Sequence, residues 1–153
     1  MIPVAALYVM EDGPYPGLLS DWYDQKRDAK PYSGPLSVVA HPPCGPWGQL
    51  RHLCKYQDPE CGLRAVEQVR CCGGVLEHPR YSKLFAACGV PLPGDAPDAW
   101  GGRTYCVEQV AWGHVCRKPT WLYVVGVPDA VVRAGIRTGG GTFPSSDTRA
   151  PYG

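Results

Sequence analysis

What this chain lacks narrows it before any motif does. No apolar stretch approaches the length of a membrane span, so the sequence predicts no transmembrane helix and no membrane partner. The formal net charge is only +1, which excludes a bulk basic field and confines any nucleic-acid contact to a local patch. The opening MIPVAALYVMEDG carries no basic segment ahead of its apolar run, and that run stops at Glu11-Asp12, short of a secretory core with its cleavage site. The expectation is a cytoplasmic protein with reduced thiols. Its eight cysteines are then core filler, metal ligands or nucleophiles rather than a disulfide framework. No Cys-x2-Cys pair occurs. His41, Cys44, His52, Cys54, Cys61 and the Cys71-Cys72 pair include enough soft donors for zinc, but their spacing is irregular and no metal is assigned. Cys71, Cys72, Cys88, Cys106 and Cys116 read as buried filler.

Glycine and proline, by contrast, are plentiful, at 19 and 17 of 153 residues, and they punctuate the chain. Val4 to Val9 is an apolar run closed by EDGPYPG, the pattern of a buried strand entering a loop. Leu18 to Ala29 reads as a weakly amphipathic helix, and Leu36 to Ala40 as the second strand. In DPECGLRAVEQVRCCGG, Asp58-Pro59 open a helix, Leu63, Val66 and Val69 repeat at helical spacing, and Gly73-Gly74 stop it. Val75-Leu76 is a short strand, Tyr81 to Cys88 a second helix, and residues 89–102 a loop. RTYCVEQV and TWLYVVGV, rich in aromatic and β-branched residues, are the last two strands. Strands alternating with helices predict one α/β domain over residues 1–135, with a largely parallel sheet of about five or six strands. The Gly/Ser/Pro-rich tail, residues 136–153, is expected to be irregular or disordered.

In open α/β sheets ligands gather at the carboxyl ends of the strands. Three of the expected loops begin there with reactive groups: EDGPYPG after the first strand, HPPCGPWG after the second and EHPRYS after the third. Pro42-Pro43 cannot extend a strand ladder and stiffen the turn, which holds Cys44 on a rigid corner. Asp12, Cys44 and Glu77 are thus expected to face one cleft.

These residues resemble the DNA cytosine-5 methyltransferases. The nucleophile motif of that family is a strand followed by Pro-Pro-Cys-Gln-Pro-Phe-Ser, and Pro42-Pro43-Cys44-Gly45-Pro46-Trp47-Gly48 has the same frame. The family's next motif, a strand-ending Glu-Asn-Val, is similar to GGVLEHP with Glu77 at the glutamate. Its later basic run, leading into an apolar strand, is similar to WGHVCRKPTWLYVVG, with Arg117 and Lys118 near the basic positions. The order of the three motifs also agrees. The nearest likeness is to the short methylase-like proteins of bacteriophages, which implies the cytoplasm of a bacterial host. The resemblance spans roughly residues 36–126. The family's paired-glycine loop for S-adenosylmethionine has only Gly13 and Gly17 opposite it, beside Asp12, with Asp24 or Asp28 as the nearest acids for the ribose. No counterpart of the target-recognition domain follows Gly126.

The resemblance implies a compact Rossmann-like methyltransferase-type sheet without a target-recognition domain, and a chemistry that explains the residue types. Carbon 5 of cytosine becomes nucleophilic only when a thiolate adds at carbon 6, the role implied for Cys44. Glu77 would favour that addition by hydrogen bonding at ring nitrogen 3. A carboxylate beside a thiol disfavours the thiolate, so a cation is required, and Arg117 or Arg80 is placed to supply it. The base would leave the duplex and stack on His78, Trp47 or Trp112, with Lys118 alongside. His41 and His114 flank motif residues and are read as ordinary loop histidines. The expectation is a small DNA- or nucleotide-cytosine-modifying enzyme that uses S-adenosylmethionine. The alternative is a non-catalytic relative that binds nucleic acid or protein.

Overall fold

The structure, a computed structural model, describes residues 2–112 and 117–136. Six short stretches of β-branched, small and aromatic residues pair into one sheet: β1 (Ile2–Leu7), β2 (Leu19–Tyr23), β3 (Ser37–Ala40), β4 (Gly74–Pro79), β5 (Arg103–Glu108) and β6 (Pro119–Val125). Their order is β2-β1-β3-β4-β6-β5. The first four strands run parallel, and β6 runs antiparallel to both β4 and β5. The fold is therefore mixed α/β with a mostly parallel sheet. The order reverses direction between β1 and β3, which makes the gap beyond their carboxyl ends a topological switch point.

Helix α1 (Glu60–Cys72) forms where the sequence predicts it. The Asp58 carboxylate accepts from the Glu60 amide at its start, and Gly73, at φ 73°, ends it with its amide on the Val69 carbonyl. Its inward face is Gly62, Ala65, Val66, Gln68 and Val69, whereas Leu63 points outward. Helix α2 (Lys83–Ala87) is capped by the Ser82 hydroxyl, and a short α3 (Asp129–Gly135) follows β6. Most of the expected tail, from residue 137 onward, lies outside the described residues, as do His114 and Cys116.

The expected helix over Leu18 to Ala29 is instead strand β2 followed by an irregular turn. Two forces override the helical reading. Leu19 to Tyr23 gain a ladder on the open edge of β1. Beyond them, the Asp24 carboxylate accepts from the backbone amides of Lys26 and Arg27 at 2.8 and 3.0 Å, satisfying them outside a helix. Residues 8–18 link two parallel strands with nothing longer than a 3-10 turn at Tyr15–Gly17, close to the shortest span such a crossover permits.

Strand alternation divides the sheet into two faces. Ala5, Leu7, Val38, Ala40, Leu76, Trp121, Tyr123 and Val125 join α1 and α2 in the main core. Ala6, Val9 and Leu19 form a smaller cluster on the other face, closed by Val4, Tyr15 and Trp22. Buried thiols prove fewer than expected. Cys72 and Cys88 pack against the core, but Cys71 and Cys106 are exposed, because they occupy the outward positions of α1 and β5.

Gly74, at φ 124°, admits β3 next to β4 because a Cβ there would run into the carbonyl oxygen of Val38 and approach its nitrogen to 2.7 Å. Gly74→Ala is expected to cost roughly 3 kcal/mol or more, from strain plus a backbone clash. Gly89→Ala, which has positive φ but open space around its Cβ, is expected to cost only about 1 kcal/mol. Urea unfolding of the two variants checks this, and equal losses would show that β3–β4 contact is not what Gly74 serves.

Candidate functional site

The Pro-Pro corner is built as a continuation of β3. His41 donates its amide to the Leu7 carbonyl at 3.0 Å, Pro42 is buried, and the chain then turns. The Cys44 carbonyl accepts from the amides of Trp47 and Gly48 at 3.0 and 2.7 Å, and the Cys44 side chain is exposed on this corner. Trp47 is half-buried and packs inward over α1, where a Cβ on Gly62 would come within 2.5 Å of its Nε1. It anchors the turn, and its buried indole N–H has no acceptor. Its backbone carbonyl accepts from the Lys83 amide at 2.9 Å, which ties the Cys44 turn to the start of α2.

Glu77 lies on β4, one position before the buried His78, so its side chain takes the face opposite Leu76. There it joins a chain of polar contacts. Glu77 Oε2 lies 2.7 Å from His41 Nδ1, and His41 Nε2 lies 2.5 Å from the Tyr15 hydroxyl. Gln109 Nε2 donates to Glu77 Oε1 at 2.8 Å and to Thr120 Oγ1 at 3.1 Å, and Lys118 Nζ stands 3.9 Å from Oε1. Burial works against the carboxylate's charge, but the His41 hydrogen bond and the nearby His41 and Lys118 side chains outweigh it and hold Glu77 below the usual range. Burial, with Glu77 nearby, pushes the Tyr15 hydroxyl up.

Other sequence-predicted residues take different places. His78 is 1% exposed, with no ring face open to a base. Its Nδ1 lies 2.7 Å from the Ser82 hydroxyl, the carbonyls of Pro42 and Pro43 lie beside the ring, and Nε2 has no partner of hydrogen-bond geometry. It packs the Pro-Pro corner against α2 rather than stacking on a ligand. Arg117 is exposed and pairs with Glu108 at 2.9 Å, so Lys118 is the cation beside Glu77. The side chain of Trp112 lies outside the described residues. Cys54 and Cys61 both contact Tyr56, and among the described residues no three His, Cys, Asp or Glu side chains converge to hold a metal ion.

An open cleft of about 1370 Å³ occupies the switch point, lined by Tyr8, Val9, Met10, Asp12, Asp24, Asp28, Lys30, His41, Pro43 and Tyr56, among others. Cys44 and Glu77 are not among its lining residues. Asp24 directly follows β2. Neither Gly13 nor Gly17 has a left-handed φ. A Cβ on Gly13 would lie 3.1 Å from the Met10 carbonyl, and one on Gly17 would meet nothing within 4 Å. Tyr15 and Gln109, which complete the Glu77 network, carry no sequence signal. His41 does carry one, because it shares the parity of Val39 and so falls on the Glu77 face. Comparison of the chain with protein-family models, curated proteins and solved structures finds no significant match in any of the three.

Burial pulls the His78 imidazole down to about 4 from its usual 6.5. An imidazole lowered in the folded state stabilises fully above its unfolded value, and that stability is lost as pH falls from 6.5 to about 4. Stability is therefore expected to drop by on the order of 3 kcal/mol across that window. His78→Asn, which keeps a polar atom for Ser82, is expected to flatten the drop. Denaturant midpoints measured at several pH values decide it, and an unchanged slope in the variant would assign the loss to other groups.

Proposed function

We propose that this chain is a small DNA- or nucleotide-cytosine-modifying enzyme of the S-adenosylmethionine-dependent methyltransferase type, with Cys44 as nucleophile. The observation that carries the reading is that the Cys44 corner and the switch-point cleft both follow the carboxyl ends of β1 and β3, and that His41, at the start of that corner and on the cleft wall, bonds Glu77 of the neighbouring β4. The charge of the cleft supports the cofactor class. Its walls present the carboxylates of Glu11, Asp12, Asp24, Asp28 and Asp58 against only Lys26 and Lys30. Such a balance repels the phosphates of a dinucleotide and suits a cationic sulfonium nucleoside, whose ribose hydroxyls need acceptors. Asp24, at the end of β2, is the nearest acceptor in kind, and Tyr8 and Tyr56 add aromatic surface.

When bound, S-adenosylmethionine supplies the methyl group. The remaining work falls to the chain's own residues. The Cys44 thiolate forms the bond to carbon 6 of the base and leaves again when the proton on carbon 5 is lost to water and the ring double bond re-forms. Glu77, ionised in the free chain, would take up a proton from solvent together with the base and hold it between its carboxyl and ring nitrogen 3, with His41 on its other oxygen. Gln109 and Lys118 hold the carboxylate in place while this proton moves. A non-catalytic relative that binds nucleic acid or protein is the second reading. One observation favours it: with neither Gly13 nor Gly17 in a left-handed conformation, the loop after β1 forms no glycine cradle.

Calorimetric titration with S-adenosylmethionine is expected to show binding, weakened about tenfold or more by Asp24→Asn through loss of a charge-assisted acceptor. An oligonucleotide containing 5-fluorocytosine is expected to trap the chain covalently when S-adenosylmethionine is present, because fluorine blocks the elimination that frees the thiol. Cys44→Ser should abolish the adduct and Cys54→Ser should leave it. A folded protein that gives no heat with the cofactor and no adduct would sink the enzyme reading and leave the second.

A further inference from the structure

We propose that the surface beside Cys44 is a docking site for single-stranded DNA, made by the turn at residues 49–57 and the β4–α2 turn at residues 80–83. The proposal rests on the reading above for the role of Cys44 and adds the form of the substrate. The first turn, Gln49 to Gln57, contains Arg51, His52 and Lys55 and no acid. Arg51, Lys55 and Lys83 are exposed, and among the described residues none of them forms an ion pair. The Arg51 guanidinium reaches no more than the Gly48 carbonyl, at 3.4 Å. The Gln57 side-chain amide donates to the Arg51 carbonyl at 3.2 Å and holds the turn together. Leu50 and Leu53 stand out from it, 57% and 70% exposed.

Tyr81 supplies the second half. It is 55% exposed and sits at φ 65°, a conformation rarely taken by an aromatic residue. Its ring meets Trp121 edge-on at 5.5 Å, and the Arg80 guanidinium lies 4.8 Å from its centroid. The fold thus holds an aromatic ring at the surface, fixed in orientation. The bond from the Lys83 amide to the Trp47 carbonyl brings this turn against the Cys44 turn, so the exposed ring, cations and thiol stand on adjoining turns. Aromatic faces with interleaved cations bind strands whose bases are already splayed, with little regard to sequence.

A duplex fits this surface less well. Extruding a base from the stack costs energy that duplex-binding proteins offset with many phosphate contacts. Three exposed side-chain cations on a chain of net charge +1 offer few. A single strand incurs no such cost.

Fluorescence anisotropy with labelled oligothymidine, free or annealed to oligoadenine, tests this on the full chain without S-adenosylmethionine. Oligothymidine offers no cytosine, so its binding does not depend on the chemistry proposed for Cys44. The single strand is expected to bind about tenfold or more tighter than the duplex. Tyr81→Leu should weaken it roughly fivefold or more, Tyr81→Phe should restore it, and Arg51→Gln with Lys55→Gln should lower the salt slope by roughly one to two. Circular dichroism confirms that each variant is folded. Equal or tighter duplex binding, or a silent Tyr81→Leu in a folded variant, overturns the proposal. Oligothymidine binding without 5-fluorocytosine trapping would support the surface and fail the chemistry, and the reverse result would fail the surface alone.

Discussion

The side-chain amide of Gln68 holds the molecule's least regular part against its most regular. It sits on the inward face of α1, 1% exposed, and its nitrogen donates to the carbonyls of Ala29 at 2.7 Å and Tyr32 at 3.0 Å. Its oxygen accepts from the Tyr8 hydroxyl at 2.8 Å. The link between β2 and β3 forms only a turn, with the Tyr32 amide on the Ala29 carbonyl, and a buried backbone acceptor without a partner is costly. Gln68 supplies those partners from a helix that is itself fixed on β3 and β4. Tyr8 leaves β1 at φ 60° and is held there by the same amide. Tyr8, Ala29 and Lys30 all line the switch-point cleft, and Arg64, whose guanidinium donates to the carbonyls of Lys30 and Tyr32, joins Gln68 in fixing that wall from outside it.

Electrostatics then divides the site in a way the net charge conceals. Carboxylates dominate the cleft between β1 and β3, whereas Arg51, Lys55 and Lys83 stand exposed on the turns flanking Cys44. The Pro-Pro corner lies between them, with Pro43 and Gly45 on the cleft wall. At that boundary Glu77 keeps its charge in a half-buried place because His41, Gln109 and Lys118 all present donors to it.

What the sequence made legible was local. The Pro-Pro corner, both ends of α1 and the apolar strands β1, β3 and β6 are written in adjacent residues, through proline, capping and β-branched chemistry. Strand β2 was not, because Leu19 to Tyr23 become a strand only when the edge of β1 is present to pair with them. The same limit hid Gln68, which reads as a polar residue on a helix and is buried because the chain 36 and 39 positions away needs its amide. Cys106 and His78 failed oppositely: a thiol expected inside faces solvent, and an imidazole expected at a ligand is sealed beneath Pro42 and Pro43. Which face a strand residue takes depends on the layer that covers it, and that layer comes from elsewhere in the chain.

The missing helix between β1 and β2 shows how such distant constraints reach the site. A crossover helix would bury the second face of the sheet with its own apolar stripe and keep its side chains away from β3. Residues 8–18 cover that face with almost no regular structure, so a small cluster, Ala6, Val9 and Leu19, must be closed by larger side chains laid flat over it. Tyr15 is one of them. Lying flat there carries its hydroxyl to His41 Nε2, with the two rings 5.3 Å apart, and this sets which way the imidazole presents Nδ1 to Glu77. The orientation of the Glu77 network thus follows from the shortness of a loop two strands away, a covering problem solved by a tyrosine that also serves as a hydrogen-bond partner.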